Sequence, residues 1–252
     1  MLNTITHGSA TEKPPLLIAH GLYGSARNWG VIAKRLSDER HVVAVDMRNH
    51  GDSPRMDSHS YPEMADDLAE VIDAHGGQMD VIGHSMGGKA AMMLALKHPQ
   101  AVRRLLVADI APVAYGHTQI HYIEAMRSVD LDQVQRRPEA AAQLAEAGVE
   151  PALQSFFTQS LDLPNRRWKL NLDVLADQMP NIMSFPETTA SWSGPALFLS
   201  GAHSDYVLAE HRPLIRARFP AARFAKLPEA GHWLHAEKPR EFEAAARVFF
   251  NA

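Results

Sequence analysis

The sequence predicts an α/β fold: a mostly parallel sheet with helices on both faces, interrupted by an inserted helical block. Three observations predict it. Short apolar runs alternate with amphipathic stretches through the first half of the chain. Those runs are continuous instead of alternating, as strands buried on both faces require. From Val113 to Ser193 the alternation stops and the chain reads as helix, after which it resumes.

Strands are expected at Leu2–Thr6, Pro15–Ala19, His41–Asp46, Met79–His84 and Arg104–Ile110, with helical periodicity at Asn28–Leu36, Glu63–His75 and Ser85–His98. Strands separated by helices of this length pair in parallel. Within the insertion, helices are expected at His117–Val129, Arg137–Ala147, Glu150–Ser160 and Leu170–Met183, punctuated by Pro138, Pro151, Pro164 and Pro186, and no strand is expected. Strand Ala196–Ser200, helix Ala209–Phe219, strand Arg223–Leu227 and helix Pro239–Asn251 complete the series. Residues 1–112 and 194–252 are thus expected to form the core and 113–193 a helical cap over the C-terminal edge of the sheet.

Composition excludes several classes of function. The 252 residues are 46% apolar and 21% charged, enough for a large core and too apolar for disorder. A net charge of −4 with no basic block argues against nucleic acid or an anionic membrane as partner. The absence of cysteine rules out disulfides, thiolate zinc sites and thiol nucleophiles. Met1–Gly8 lacks the basic and apolar segments of a signal peptide, and no apolar run is long enough to span a bilayer, so a cytoplasmic protein is expected.

Gly83-His84-Ser85-Met86-Gly87 lies between a strand-like run and a helix-like run. Strand, G-x-S-x-G and helix form the setting of a nucleophile held on a strained turn. Glycine at 83 and 87 removes side chains that would strike the strand or the helix. The helix N-terminus then favours an anion developing beside Ser85.

Acyl transfer needs a nucleophile, a base, an acid that orients the base, and donors for the oxyanion. His232, in the loop Pro228-Glu229-Ala230-Gly231-His232-Trp233 after the last strand, is the candidate base, with His235 as its nearest rival. Asp109, which closes the apolar strand ending in Leu106-Val107-Ala108, is the preferred acid, because a lone carboxylate there is buried and needs a partner. Asp205 is the alternative acid, although the slot three residues after Gly201 holds Ser204. The backbone N–H groups of Leu22, after His20-Gly21, and of Met86 are the candidate oxyanion donors. His20 and His84 are read as structural, and Asp46 and Arg48 as buttresses beneath the site. His117 and His121 stand four apart, as zinc ligands can, but no third ligand accompanies them, so no metal or organic cofactor is expected.

Together these residues resemble the α/β-hydrolase superfamily over essentially the whole chain. The strings Asp46-Met47-Arg48-Asn49-His50-Gly51-Asp52-Ser53-Pro54-Arg55, Gly83 to Lys89, Asp109-Ile110-Ala111-Pro112-Val113 and Gly231 to Pro239 are narrower, and are similar to the bacterial YbfF-type esterases and the related ABHD-eleven-like hydrolases. The resemblance implies an α/β-hydrolase fold, an acid at Asp109, a helical cap, and carboxylesterase activity extending to thioesters. The chain departs in one respect. Ahead of the strand that leads to His20 it supplies one strand where the superfamily has two, which implies a lost edge strand.

A serine carboxylic-ester hydrolase acting on small-molecule esters of short to medium acyl chains is therefore expected. Tyr115, Tyr122, Phe156, Phe157, Trp168, Phe185 and Trp192 are available in the insertion to pack it or to line an apolar pocket. C–C bond hydrolases, cofactor-free haloperoxidase-like enzymes and acyltransferases keep the same serine and remain alternatives, as does a non-catalytic ligand-binding protein on this fold. Dehalogenases and epoxide hydrolases place a carboxylate where Ser85 stands.

Overall fold

The computed structural model describes all residues from Met1 to Ala252. In chain order the first half contains β1 (Thr4–His7), β2 (Leu16–Ala19), α1 (Gly30–Leu36), β3 (Val42–Val45), α2 (Tyr61–Ala74), β4 (Met79–His84), α3 (Met86–Lys97) and β5 (Val102–Ala108). The insertion carries α4 (Ile120–Ser128), α5 (Arg137–Glu146), α6 (Pro151–Thr158), the short strands β6 (Leu161–Asp162) and β7 (Arg167–Trp168), α7 (Leu172–Asp177) and α8 (Met179–Met183). Then follow β8 (Ala196–Gly201), α9 (Arg212–Arg218), β9 (Ala222–Leu227), α10 (Leu234–Glu237) and α11 (Pro239–Phe250).

Seven strands form one sheet in the order β1-β3-β2-β4-β5-β8-β9. Only β1 runs antiparallel to its neighbour. It is the edge, so the sheet is one strand short on the side where the sequence implied a loss. Side chains of β2 and β3 alternate between two cores. Leu17, Ala19, Val43 and Val45 pack with α2 and α3, whereas Leu16, Ile18, Val42 and Ala44 pack with α1 and α11. On the second face Trp29, Phe242 and Phe250 are almost wholly buried, each contributing about 1.5–3 kcal/mol by leaving water. The continuous apolar runs are thus explained by burial on both sides.

Four departures from the sequence reading have a local reason. Helix α2 starts at Tyr61, because the Ser60 hydroxyl and backbone N–H meet the Glu63 carboxylate in a capping box and Pro62 suits the first turn. Helix α4 starts at Ile120, not His117, since Thr118 Oγ1 accepts the Ile120 N–H in a local turn. The expected helix Leu170–Met183 is two, broken where Pro180 enters the first turn of α8. The insertion also contains the β6–β7 hairpin, turned by Arg166 at φ 46°, where no strand was expected. Two residues per strand are too few to leave a periodic signal.

The open ends of the parallel strands lie together, and ligands bind at such an edge. From it emerge the loops that begin at His20, Asp46, Ser85, Asp109, Ala202 and Pro228. The insertion sits against these loops: the Tyr23 hydroxyl donates to the Gln119 carbonyl at 2.9 Å, and Phe157 meets the Tyr23 ring edge-on at 5.4 Å. No helix is long and apolar enough to cross a membrane.

Candidate active site

Ser85 stands between β4 and α3 with φ 52° and ψ −120°, a conformation that costs on the order of 1–3 kcal/mol for a non-glycine residue. The flanking glycines allow it. A Cβ on Gly83 would strike the Gly87 carbonyl oxygen and the Gly88 Cα, and one on Gly87 would strike the Ala19 and His20 carbonyl oxygens. Asp109 holds a second positive φ, 52°, just past β5.

These strand ends bring three of the predicted residues into one hydrogen-bonded chain. His232 Nε2 lies 3.1 Å from Ser85 Oγ, and His232 Nδ1 lies 2.8 Å from Asp109 Oδ2. Asp109 is completely buried, and the His232 side chain is 15% exposed. With the carboxylate accepting from Nδ1–H, Nε2 is left as the acceptor for the Ser85 hydroxyl proton. The arrangement can therefore raise the nucleophilicity of Ser85 at neutral pH.

Asp109 is itself held. Its Oδ1 accepts the Gly201 N–H at 3.0 Å, and its Oδ2 accepts the Ser204 hydroxyl. Ser204 occupies the slot in which an acid was sought after β8 and instead donates to Asp109, which follows the neighbouring strand. Asp205 is exposed and makes no hydrogen bond or ion pair, so the structure does not bring the alternative acid to His232. The Tyr206 ring stacks on the His232 imidazole at 4.0 Å and 21°.

The other histidines have different surroundings. His235 stacks on Trp29 at 4.0 Å, nearly parallel, and does not reach Ser85. Burial, and secondarily His232 nearby, pushes its pKa down to about 3, so it is neutral. His84 Nε2 donates to the His232 carbonyl at 2.9 Å, and burial keeps this ring neutral as well. His20 accepts the Met47 N–H through Nε2 at 2.9 Å and donates from Nδ1 to the Gly21 carbonyl at 2.7 Å.

His50, given no role of its own in the sequence, takes the Tyr23 N–H at 3.1 Å and so pins the loop that carries Leu22. Beneath it, the Asp46 carboxylate accepts from the Ala26 and Asp52 N–H groups, and Arg48 pairs with Asp67, as buttresses would. The Leu22 N–H makes no hydrogen bond within the protein, and Met86 is the first residue of α3, whose amide has no intrahelical partner.

A cleft of about 350 Å³ opens on Ser85 and His232. Of the aromatic residues in the insertion, Tyr122, Phe156 and Phe157 line it. Trp168 is instead buried, with its indole N–H on the Met126 carbonyl. His117 and His121 do not share a helix, because α4 begins between them, and His117 Nε2 meets the Tyr206 hydroxyl at 3.0 Å. The roles of Ser204, His50 and Tyr206 were not legible, because contacts made by a hydroxyl, a ring nitrogen and a stacked ring across loops leave no spacing signal.

The fold and this arrangement define a class of protein. Residues 16–245 match the model of the alpha/beta hydrolase family, and the chain belongs to that family. It is an enzyme, a hydrolase of the carboxylesterase type, with relatives named as an esterase and a lipase. Over 253 residues it is 41% identical to the sn-1-specific diacylglycerol lipase ABHD11 of Mus musculus, covering 96% of this chain and 82% of that one. It is 40% identical over 242 residues to esterase YbfF of Escherichia coli, covering 94% and 93%. A solved structure described as a marine microorganism esterase superposes with a TM-score of 0.92 at 39% identity, over 98% of each chain.

Proposed function

We propose that the protein is a serine hydrolase of carboxylic esters that works through an acyl-enzyme, with Ser85 as nucleophile, His232 as general base and then acid, and Asp109 as the orienting carboxylate. The observation that carries this reading is the continuous Ser85–His232–Asp109 chain at the floor of an apolar cleft. The names of the relatives, an esterase and a lipase, favour ester over C–C substrates.

Ser85 Oγ attacks the ester carbonyl as its proton passes to His232 Nε2. The oxyanion is met by the free N–H groups of Leu22 and Met86, each donor being worth about 3–4 kcal/mol in the transition state. His232 then returns the proton to the departing alcohol, and water repeats the sequence to release the acid. Every step uses groups of the chain and water. Residues 113–193 serve as the cap that shields this chemistry, consistent with their contacts to Tyr23 and Tyr206.

Hydrolysis of p-nitrophenyl esters, alongside labelling by a fluorophosphonate probe, tests the reading. Both are expected in the unmodified protein and lost in Ser85→Ala. A protein that folds but neither cleaves an ester nor takes the probe would return the non-catalytic binding reading. Formation of a new ester when alcohol is added would point to acyl transfer, and turnover of a dienoate alone would point to C–C hydrolysis.

The support that Ser204 provides is open to a separate measurement. Ser204→Ala removes one hydrogen bond to the charged Asp109, a loss of about 1.5–3 kcal/mol, so kcat is expected to fall by roughly ten- to a hundredfold. Restoration by Ser204→Thr would tie the loss to the hydroxyl; an unchanged kcat in the alanine variant would show that the contact is dispensable.

A further inference from the structure

Two cavities meet at Ser85. Leu22, Gln119 and Tyr206 line both. The larger, about 350 Å³, contains His232 and the aromatic wall. The smaller, about 20 Å³, contains Met86 but not His232, and is bounded by Ile110, Ile182, Met183 and Lys89. The candidate base therefore faces one cavity, while Met86, an oxyanion donor under the proposed mechanism, lines the other.

Proton transfer assigns them. The departing alcohol must take a proton from His232 Nε2, and the incoming water must later give one to the same nitrogen. Both must therefore occupy the side on which His232 lies. As Ser85 Oγ bonds to the carbonyl carbon and the carbon–alkoxy bond breaks, the alcohol leaves through the large cleft with that proton. With the oxyanion turned to the Leu22 and Met86 N–H groups, the acyl chain takes the remaining direction, into the space bounded by Ile110, Ile182 and Met183.

We propose that the small cavity is the acyl site and the aromatic cleft the alcohol site, so that the substrates are acetyl and propionyl esters of bulky apolar alcohols. This rests on the ester-hydrolase reading. About 20 Å³ is little more than the 10–15 Å³ that one water molecule needs, room for a methyl group and, with some yielding of the flexible Met86 and Met183 side chains, for one carbon more. The far wall does not swing away easily. Buried Lys89 donates from Nζ to the Met183 and Ser184 carbonyls at 3.1 and 2.6 Å, and the Tyr61 hydroxyl donates to the Ile182 carbonyl at 2.6 Å. The end of α8 is thus tied to the core at three successive carbonyls, with Lys89 Nζ also 4.7 Å from the Tyr115 ring centroid. The cleft, by contrast, offers Tyr122, Phe156 and Phe157 to a large apolar alcohol.

The test is a pair of substrate series on the full-length protein. In p-nitrophenyl esters from acetate to octanoate, kcat/KM is expected to fall at least tenfold between acetate and hexanoate. In acetates of ethanol and 2-phenylethanol, it is expected to rise at least tenfold with the larger alcohol. Ile182→Ala should raise the hexanoate-to-acetate ratio at least tenfold, with Met183→Ala as the second variant should the first not fold. Phe156→Ala should leave that ratio alone and erase the preference for phenylethanol. An open apolar channel would instead raise kcat/KM by about fourfold per methylene. That rise, or an acyl-length ratio moved by Phe156→Ala and not by the α8 variants, would overturn the assignment while ester hydrolysis stood. No turnover of any ester would remove both.

Discussion

Ser85→Ala is expected to lower kcat for ester hydrolysis by about 10⁶-fold, and Asp109→Asn by about 10³–10⁴-fold, while Asp205→Asn stays within twofold of the unmodified protein. The asparagine effect follows from the surroundings of the carboxylate. Asp109 accepts on both sides, from the Gly201 N–H through one oxygen and from His232 and Ser204 through the other. An amide cannot accept on both. With its oxygen turned to Gly201, its NH₂ faces His232 Nδ1 and forces that nitrogen to be the acceptor. The imidazole proton then moves to Nε2, the atom that faces Ser85 Oγ and receives its proton in the proposed mechanism. Single-turnover rates of the three variants, with circular dichroism to confirm folding, decide the matter. Large loss in Asp205→Asn with little in Asp109→Asn would move the acid to the other loop.

Between pH 8 and pH 5 the protein is expected to lose about 4 kcal/mol of stability through His59 and His235 alone. Burial pushes both imidazoles down to about 3, with Arg48 adding to the effect at His59 and His232 at His235. The unfolded chain protonates them near 6.5. Below that pH the unfolded state binds protons that the folded state refuses, so stability is full above 6.5 and is lost as pH falls toward 3. At pH 5 each group has forfeited about 2 kcal/mol, a large share of the roughly 5–15 kcal/mol that holds a domain together.

His20, His50 and His84 are displaced in the same direction, also chiefly by burial. Urea titrations at pH 8 and pH 5 measure the slope. His235→Phe, which keeps the stack on Trp29, is expected to remove about 2 kcal/mol of it. Equal unfolding midpoints at the two pH values would show that the buried rings take up protons without cost.

Much of the site was legible because its parts are written locally. The turn at Ser85 needs glycine on both sides for steric reasons, so Gly83 and Gly87 announce it. Asp109 stood out as one carboxylate ending a run of buried apolar residues, and it is wholly buried. Ser204 was visible only as a departure, a serine where an acid was sought, and its bond to Asp109 crosses from β8 to β5. In the insertion, periodicity located most of the helices but placed the start of α4 too early and ran α7 and α8 together. There a threonine turn and one proline outweigh a weak apolar pattern.

Sequence alone was enough to determine the doubly covered sheet and the order of its strands along the chain, and to single out Ser85, His232 and Asp109 as candidates. These depend on hydrophobic period, on steric demands at glycine and on the cost of burying a charge, all of which act within a few residues. Tertiary structure decided what depends on distance between loops. It seated His232 on Ser85, chose Asp109 over Asp205, set His50 under the Tyr23 amide, and divided the space above Ser85 into a cleft and a small cavity. No local pattern encodes such features, because each is a separation of a few ångströms between segments far apart in the chain, fixed only when the core packs.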